Sequence, residues 1–162
     1  MTLHTDQMSD SFRIGAMLAV VGGFLDAYTY LARGQVFANA QTGNIVLLGV
    51  HLSEGDFKKA LSYLVPILAF VAGIFVDEWI KHRLEGKVAL HWRQTVLLIE
   101  ILALIVVIFL PLGKADPLAN ALVSFICSMQ VQSFRKFHGM PYATTMCTGN
   151  LRSGTDHLVK YF

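Results

Sequence analysis

Four stretches of the chain, residues 14–32, 60–76, 94–112 and 117–134, run almost unbroken in apolar side chains. As α-helix each would reach about 25–28 Å, close to the hydrocarbon thickness of a bilayer. Together they hold two charged side chains, Asp26 and Glu100, although the chain carries 13 Lys and Arg and 11 Asp and Glu. A soluble domain has no reason to sort its charges in this way. A bilayer does, because a charge at its centre costs roughly 2.5 kcal/mol or more. The pattern predicts an all-α, polytopic membrane protein. Gly22 and Gly23 should let another helix approach the first span, Pro66 should kink the second, and Pro117 fits the first turn of the fourth.

Two intervening segments fit neither loop nor span. Residues 35–52 (QVFANAQTGNIVLLGVHL) carry no acid or base, yet Asn39, Gln41, Thr42 and Asn44 are too polar for a lipid-facing helix. Residues 139–158 (GMPYATTMCTGNLRSGTDHL) repeat the design: Thr42-Gly43-Asn44 recurs as Thr148-Gly149-Asn150. Asp26 corresponds to Gln130, Gly34 to Gly139 and Gly49 to Gly154. Two copies in matching contexts indicate an internal duplication. Residues 14–113 then form a first repeat, with spans 14–32, 60–76 and 94–112. Residues 117–162 form an incomplete second one, in which counterparts of 60–76 and 94–112 are absent: either the chain is a truncated product, or a partner or second copy supplies them.

Charge decides how the TGN segments should sit. If they cross the membrane, the basic residues divide five against seven; if they dip in and return, nine against four. The positive-inside rule favours re-entrant segments at 35–52 and 139–158. The polar segment 1–13 and the basic loop 81–93 would then be cytoplasmic, and Lys58 external. Three full spans per repeat make the second repeat inverted, an architecture common in secondary transporters. Half-helices starting near Asn44 and Asn150 would point their positive ends at the midplane.

Composition excludes more than it adds. At 54% hydrophobic and 15% charged the chain is neither disordered nor a disulfide-stapled secreted domain, and a net charge of +2 is too mild for nucleic acid. Cys127 and Cys147, in or beside apolar segments, read as reduced thiols. The first apolar run lacks a cleavage site and reads as a retained span. The six histidines have no metal-ligand spacing, no cofactor fingerprint appears, and no nucleophile has a base beside it, so neither metal, cofactor nor enzyme chemistry is expected.

The stretches GGFLDAYTYLARGQVFANAQTGNIVLLG and MQVQSFRKFHGMPYATTMCTGN resemble the YoaK family of bacterial multi-pass membrane proteins. The resemblance runs from Phe12 onward. It implies an inner-membrane protein of about six spans in a longer chain, with no known substrate or catalytic residue.

The candidate site is Asp26, Thr42, Gly43, Asn44, Gln130, Thr148, Gly149 and Asn150. Asp26 reads as an ion- or proton-coupling carboxylate, or as a structural one paired with TGN backbone. The Thr and Asn side chains could ligate a solute or cap half-helices. Glu100 could snorkel toward Arg93 or Gln94. The expected function is a permease for a small polar or anionic solute, and the alternative is a non-transporting scaffold.

Overall fold

The computed structural model describes residues 12–84, 92–134, 136–137, 140–141 and 147–161. Six helices follow in order: α1 (Phe12–Ala32), α2 (Gln41–Ser53), α3 (Phe57–Leu84), α4 (Trp92–Phe109), α5 (Asp116–Ser133) and α6 (Cys147–Tyr161). Between α5 and α6, β1 (Lys136–Phe137) and β2 (Met140–Pro141) make a two-residue antiparallel ladder, with Phe137 opposite Met140. The expected segment 1–11, loop residues 85–91 with Lys87, Arg135 and residues 142–146 lie outside the described residues. So do the side chains of Cys147 and Asn150.

Among the described residues three helices, α1, α3 and α4, are long and apolar enough to cross a membrane. Their outward side chains are apolar: Phe24, Leu31, Val71, Phe75, Ile108 and Phe109 are all exposed. A soluble monomer rarely leaves so much apolar surface in water. α3 is 28 residues long, about 42 Å, and outruns the expected span 60–76 at its C-terminal end. The helix continues through Pro66 and carries Asp77 inward, where its Oδ1 accepts from the Ser133 hydroxyl at 2.5 Å. The tail Lys81, His82, Arg83 emerges beyond.

α5 is the expected fourth helix, yet it does not stand with the three apolar ones. Asp116, Asn120, Ser124 and Ser128 recur at every fourth residue, and Gln130, Gln132 and Ser133 follow. This polarity is tolerable because protein, not lipid, surrounds α5. Asn120, Ser124, Ser128, Gln130 and Ser133 are all buried. One core cluster joins α1, α4 and α5 through Leu25, Val107, Ala119, Val123 and Cys127. A second joins α3, α4 and α5 through Ile80, Val96 and Met129. α3 crosses α5 at Gly73, where an added Cβ would lie 2.0 Å from Ser128 Oγ and 2.3 Å from the Phe125 carbonyl oxygen.

Both ends of the helix group carry cations over aromatic rings, as membrane–water interfaces favour. At one end Lys81 and Arg93 lie 5.8 and 5.3 Å from the Trp92 ring, and Arg83 lies 5.4 Å from Trp79. At the other, Lys59 lies 5.6 Å from Tyr63.

The TGN helices begin at Gln41 and Cys147, a turn earlier than expected. α2 lies against α3, and His51 stacks on Tyr63 with ring centres 5.6 Å apart. α6 is exposed at every residue whose side chain is described.

Candidate functional site

α1 ends in a reversal. Gly34 (φ +84°) and Gln35 (φ +63°) take the left-handed conformation that turns the chain back, at Gly34 without a Cβ penalty. Residues 36–40 then run back beside the last turns of α1 with no regular structure. Backbone at such a place must find partners, since unpaired N–H groups away from water cost about 1–3 kcal/mol each. Here side chains supply them. Asn44 Oδ1 accepts from Phe37 N–H at 3.0 Å, and Thr29 Oγ1 from Ala38 N–H at 3.2 Å. Asp26 Oδ1 accepts from Asn39 N–H at 2.7 Å and Ala40 N–H at 3.4 Å. Asn44 Nδ2 in turn donates to the Phe37 carbonyl and to Gln41 Oε1. Gln41 Nε2 donates to the Ala38 carbonyl at 2.8 Å.

The expected cap is therefore made differently. Ala40 occupies the cap position of α2 and has no side chain to offer. Asn44, inside the first turn, reaches back to the incoming strand, while Thr42 faces outward. Gly43 presses on the Phe37 ring, 2.8 Å from where a Cβ would stand. The amides of Gln41 and Gly43 donate to the carbonyls of Asn39 and Ala40, both at 2.9 Å. Two of the N–H groups that would attract an anion to α2, those of Gln41 and Gly43, are thus already engaged.

Of the predicted site, Asp26, Gly43 and Asn44 each hold a part of the returning segment 37–40. Gln130 is buried but reaches α1 elsewhere: its Nε2 donates to the Leu18 carbonyl at 3.3 Å, two turns from Asp26. Thr148 and Gly149 sit exposed on α6, apart from α2, so the described residues do not form a paired TGN wall.

Several residues that the sequence reading passed over are central. Arg33, buried, donates to the carbonyls of Leu110 (2.9 Å), Pro111 (3.0 Å) and Val107 (3.4 Å), to Asp116 Oδ1 (3.1 Å) and to the Tyr28 hydroxyl (2.7 Å). It holds the C-terminal end of α4 against the start of α5. Burial works against its charge, but Tyr28 and Asp116 outweigh this and raise its pKa. Arg33, Asp116 and Asn120 line a cleft of about 310 Å³ with Asp56, Lys58 and Lys59. Asn120 Nδ2 donates to the Arg33 carbonyl at 2.8 Å.

Inside, some polar atoms have no hydrogen-bond partner among the described residues: both amide atoms of Asn39, Asn120 Oδ1, Gln130 Oε1 and both carboxyl oxygens of Glu100. Glu100 does not snorkel; it is 5% exposed. Cys127 is a free, buried thiol, as expected. The spacing Asp116–Asn120–Ser124–Ser128 was the available sequence signal for a polar interior. Among the described residues no group of His, Cys, Asp and Glu could hold a metal ion.

The chain matches the family model described as "Protein of unknown function (DUF1275)" over residues 14–162, and it belongs to that family. It is 26% identical over 144 residues to the UPF0700 transmembrane protein YoaK of Bacillus subtilis (strain 168). That match covers 85% of this chain and 63% of the relative, so the chain spans less than two thirds of the relative's length. No solved structure matches it. The relative and the apolar helices together make this a membrane protein.

Proposed function

We propose that this member of the DUF1275 family is a small-solute permease of the bacterial inner membrane, not an enzyme, with its N-terminus cytoplasmic. One observation carries the reading: polar atoms buried in the helix group, Asn39 and Gln130 foremost, have no partner among the described residues. A scaffold has no use for them and would fill their places with Ala, Val or Phe, whereas a solute passing between α1, α4 and α5 would satisfy them in turn. Residues 33–53 serve as the re-entrant element. Their return beside Asp26 and Thr29, and the Lys59 ammonium at 3.1 Å from the Gly34 carbonyl, support an entry and exit on one face. The inverted repeat belongs to the same proposal.

The solute is polar and neutral or cationic. An anion would meet Asp26 and find the amides of Gln41 and Gly43 taken. The test is a melting-temperature screen of the purified full chain against small polar solutes, since a ligand at about 100 times its Kd stabilises by about 2.7 kcal/mol. A stabilising solute whose effect disappears in Asn39→Ala supports the reading. Stabilisation by anions alone, or by none of a broad panel, sinks it.

A further inference from the structure

We propose that Glu100 is a proton-binding site in the membrane interior, the group that exchanges a proton with water or solute entering between α1, α4 and α5. As the coupling group it rests on the permease reading; as a proton site it does not.

Glu100 stands near the midpoint of α4, the most apolar of the long helices. It is buried, and neither oxygen has a hydrogen-bond partner among the described residues. Two other acids differ: half-buried Asp26 accepts from two backbone amides, and buried Asp77 accepts from Ser133. No lysine, arginine or histidine among the described residues pairs with Glu100. The titratable groups facing it are the Cys127 thiol of α5 and, beyond that, the Asp26 carboxyl of α1. From α3, Asp77 is held at Ser133 and Lys81 is drawn to the Trp92 ring, as is Arg93 of α4 itself.

A carboxylate in such surroundings would have neither counter-ion nor donor, at a cost of several kcal/mol. A carboxylic acid carries one O–H and no charge, and it can reside there. Access comes along α5. Asn120 lines the external cleft, and Ser124, a turn deeper, lies 3.5 Å from Gln41 Nε2 and within a turn of Cys127. When water or solute enters from that side, the acid gives it a proton and remains as carboxylate until a proton returns.

An apolar carbodiimide tests this on the full chain in liposomes. Dicyclohexylcarbodiimide attacks protonated carboxyls in apolar surroundings: the acid proton passes to one reagent nitrogen, the carboxyl oxygen bonds to the central carbon, and the acyl group then shifts to nitrogen with nothing lost. The expected result is one adduct, mapped to Glu100, that weakens as the buffer is made alkaline. It disappears in Glu100→Gln, returns in Glu100→Asp, and persists in Asp26→Asn. A folded protein without an adduct at Glu100, or labelling to the same extent in acid and alkali, overturns the proposal. The permease reading is judged separately. An adduct without any transported solute keeps the proton site and discards the permease; transport without the adduct does the reverse.

Discussion

Replacing Asp26 by Asn leaves an oxygen to accept from Asn39 and Ala40 but removes its charge. Charge-assisted hydrogen bonds are about twice as strong as neutral ones, so Asp26→Asn should cost about 1 kcal/mol, or about 2–4 °C in Tm, and still fold. Asp26→Leu removes the acceptor, leaving two amides unpaired at about 1–3 kcal/mol each, and should aggregate in detergent. Asn44→Leu should resemble Asp26→Leu, because it strips both the N–H and the carbonyl of Phe37. Thermal unfolding of the purified variants ranks them; Asp26→Asn as damaging as Asp26→Leu would mean that Asp26 acts through its charge rather than as an acceptor. Arg33→Lys is a second test. A single ammonium cannot reach the carbonyls of Val107, Leu110 and Pro111 together with Asp116, so the change should cost about 2–3 kcal/mol by the same melt. Asp26 was legible in the sequence because a carboxylate among apolar residues is conspicuous. Arg33 was not. At the end of a span it looks like any loop charge, and its partners other than Tyr28 stand more than 70 residues away.

Among the helices, three glycines separate space from propensity. Gly73→Ala drives a methyl into the Phe125 carbonyl of α5, which is backbone and cannot rotate aside. It should prevent folding, and adding Ser128→Ala should not restore it, since that relieves only the serine contact. Gly43→Ala meets the Phe37 ring, a movable neighbour. Gly49→Ala meets nothing within 4 Å and should stabilise α2 by up to about 1 kcal/mol. Yield of monodisperse protein and Tm are the readouts. The spans α1 and α4 were legible within a few residues because hydropathy reports directly what lipid tolerates. α3 was cut short at Asp77, since a charge reads as a membrane boundary until Ser133 is known to meet it. Hydropathy alone makes α5 a span like the others, although a helix wrapped in other helices can carry a polar row.

For the whole molecule, the proposed topology puts Lys58 outside and Lys87 inside. With Cys127 and Cys147 removed, a membrane-impermeant maleimide on intact cells should label Lys58→Cys and spare Lys87→Cys. The opposite result would dismiss both the re-entrant element and the inverted repeat. The repeat was read from sequence order alone, and the described residues put α2 and α6 in unlike surroundings, one against α3 and the other bare.

The hydrogen bonds around α1 also have an order in time. Asp26 and Thr29 are made before the residues they hold, and Asn39 follows Asp26 by only 13 positions. The pairing is available as soon as that stretch leaves the ribosome. Arg33 must wait for Asp116, 83 positions later. Until then its guanidinium has only Tyr28, water and lipid headgroups as partners. Biogenesis therefore divides into an early, local closure around residues 26–44 and a late one that draws Arg33 inward, the slower because distant segments must meet. A chain stalled after α3 should already protect the amides of residues 37–40 from hydrogen exchange while Arg33 remains open to modification.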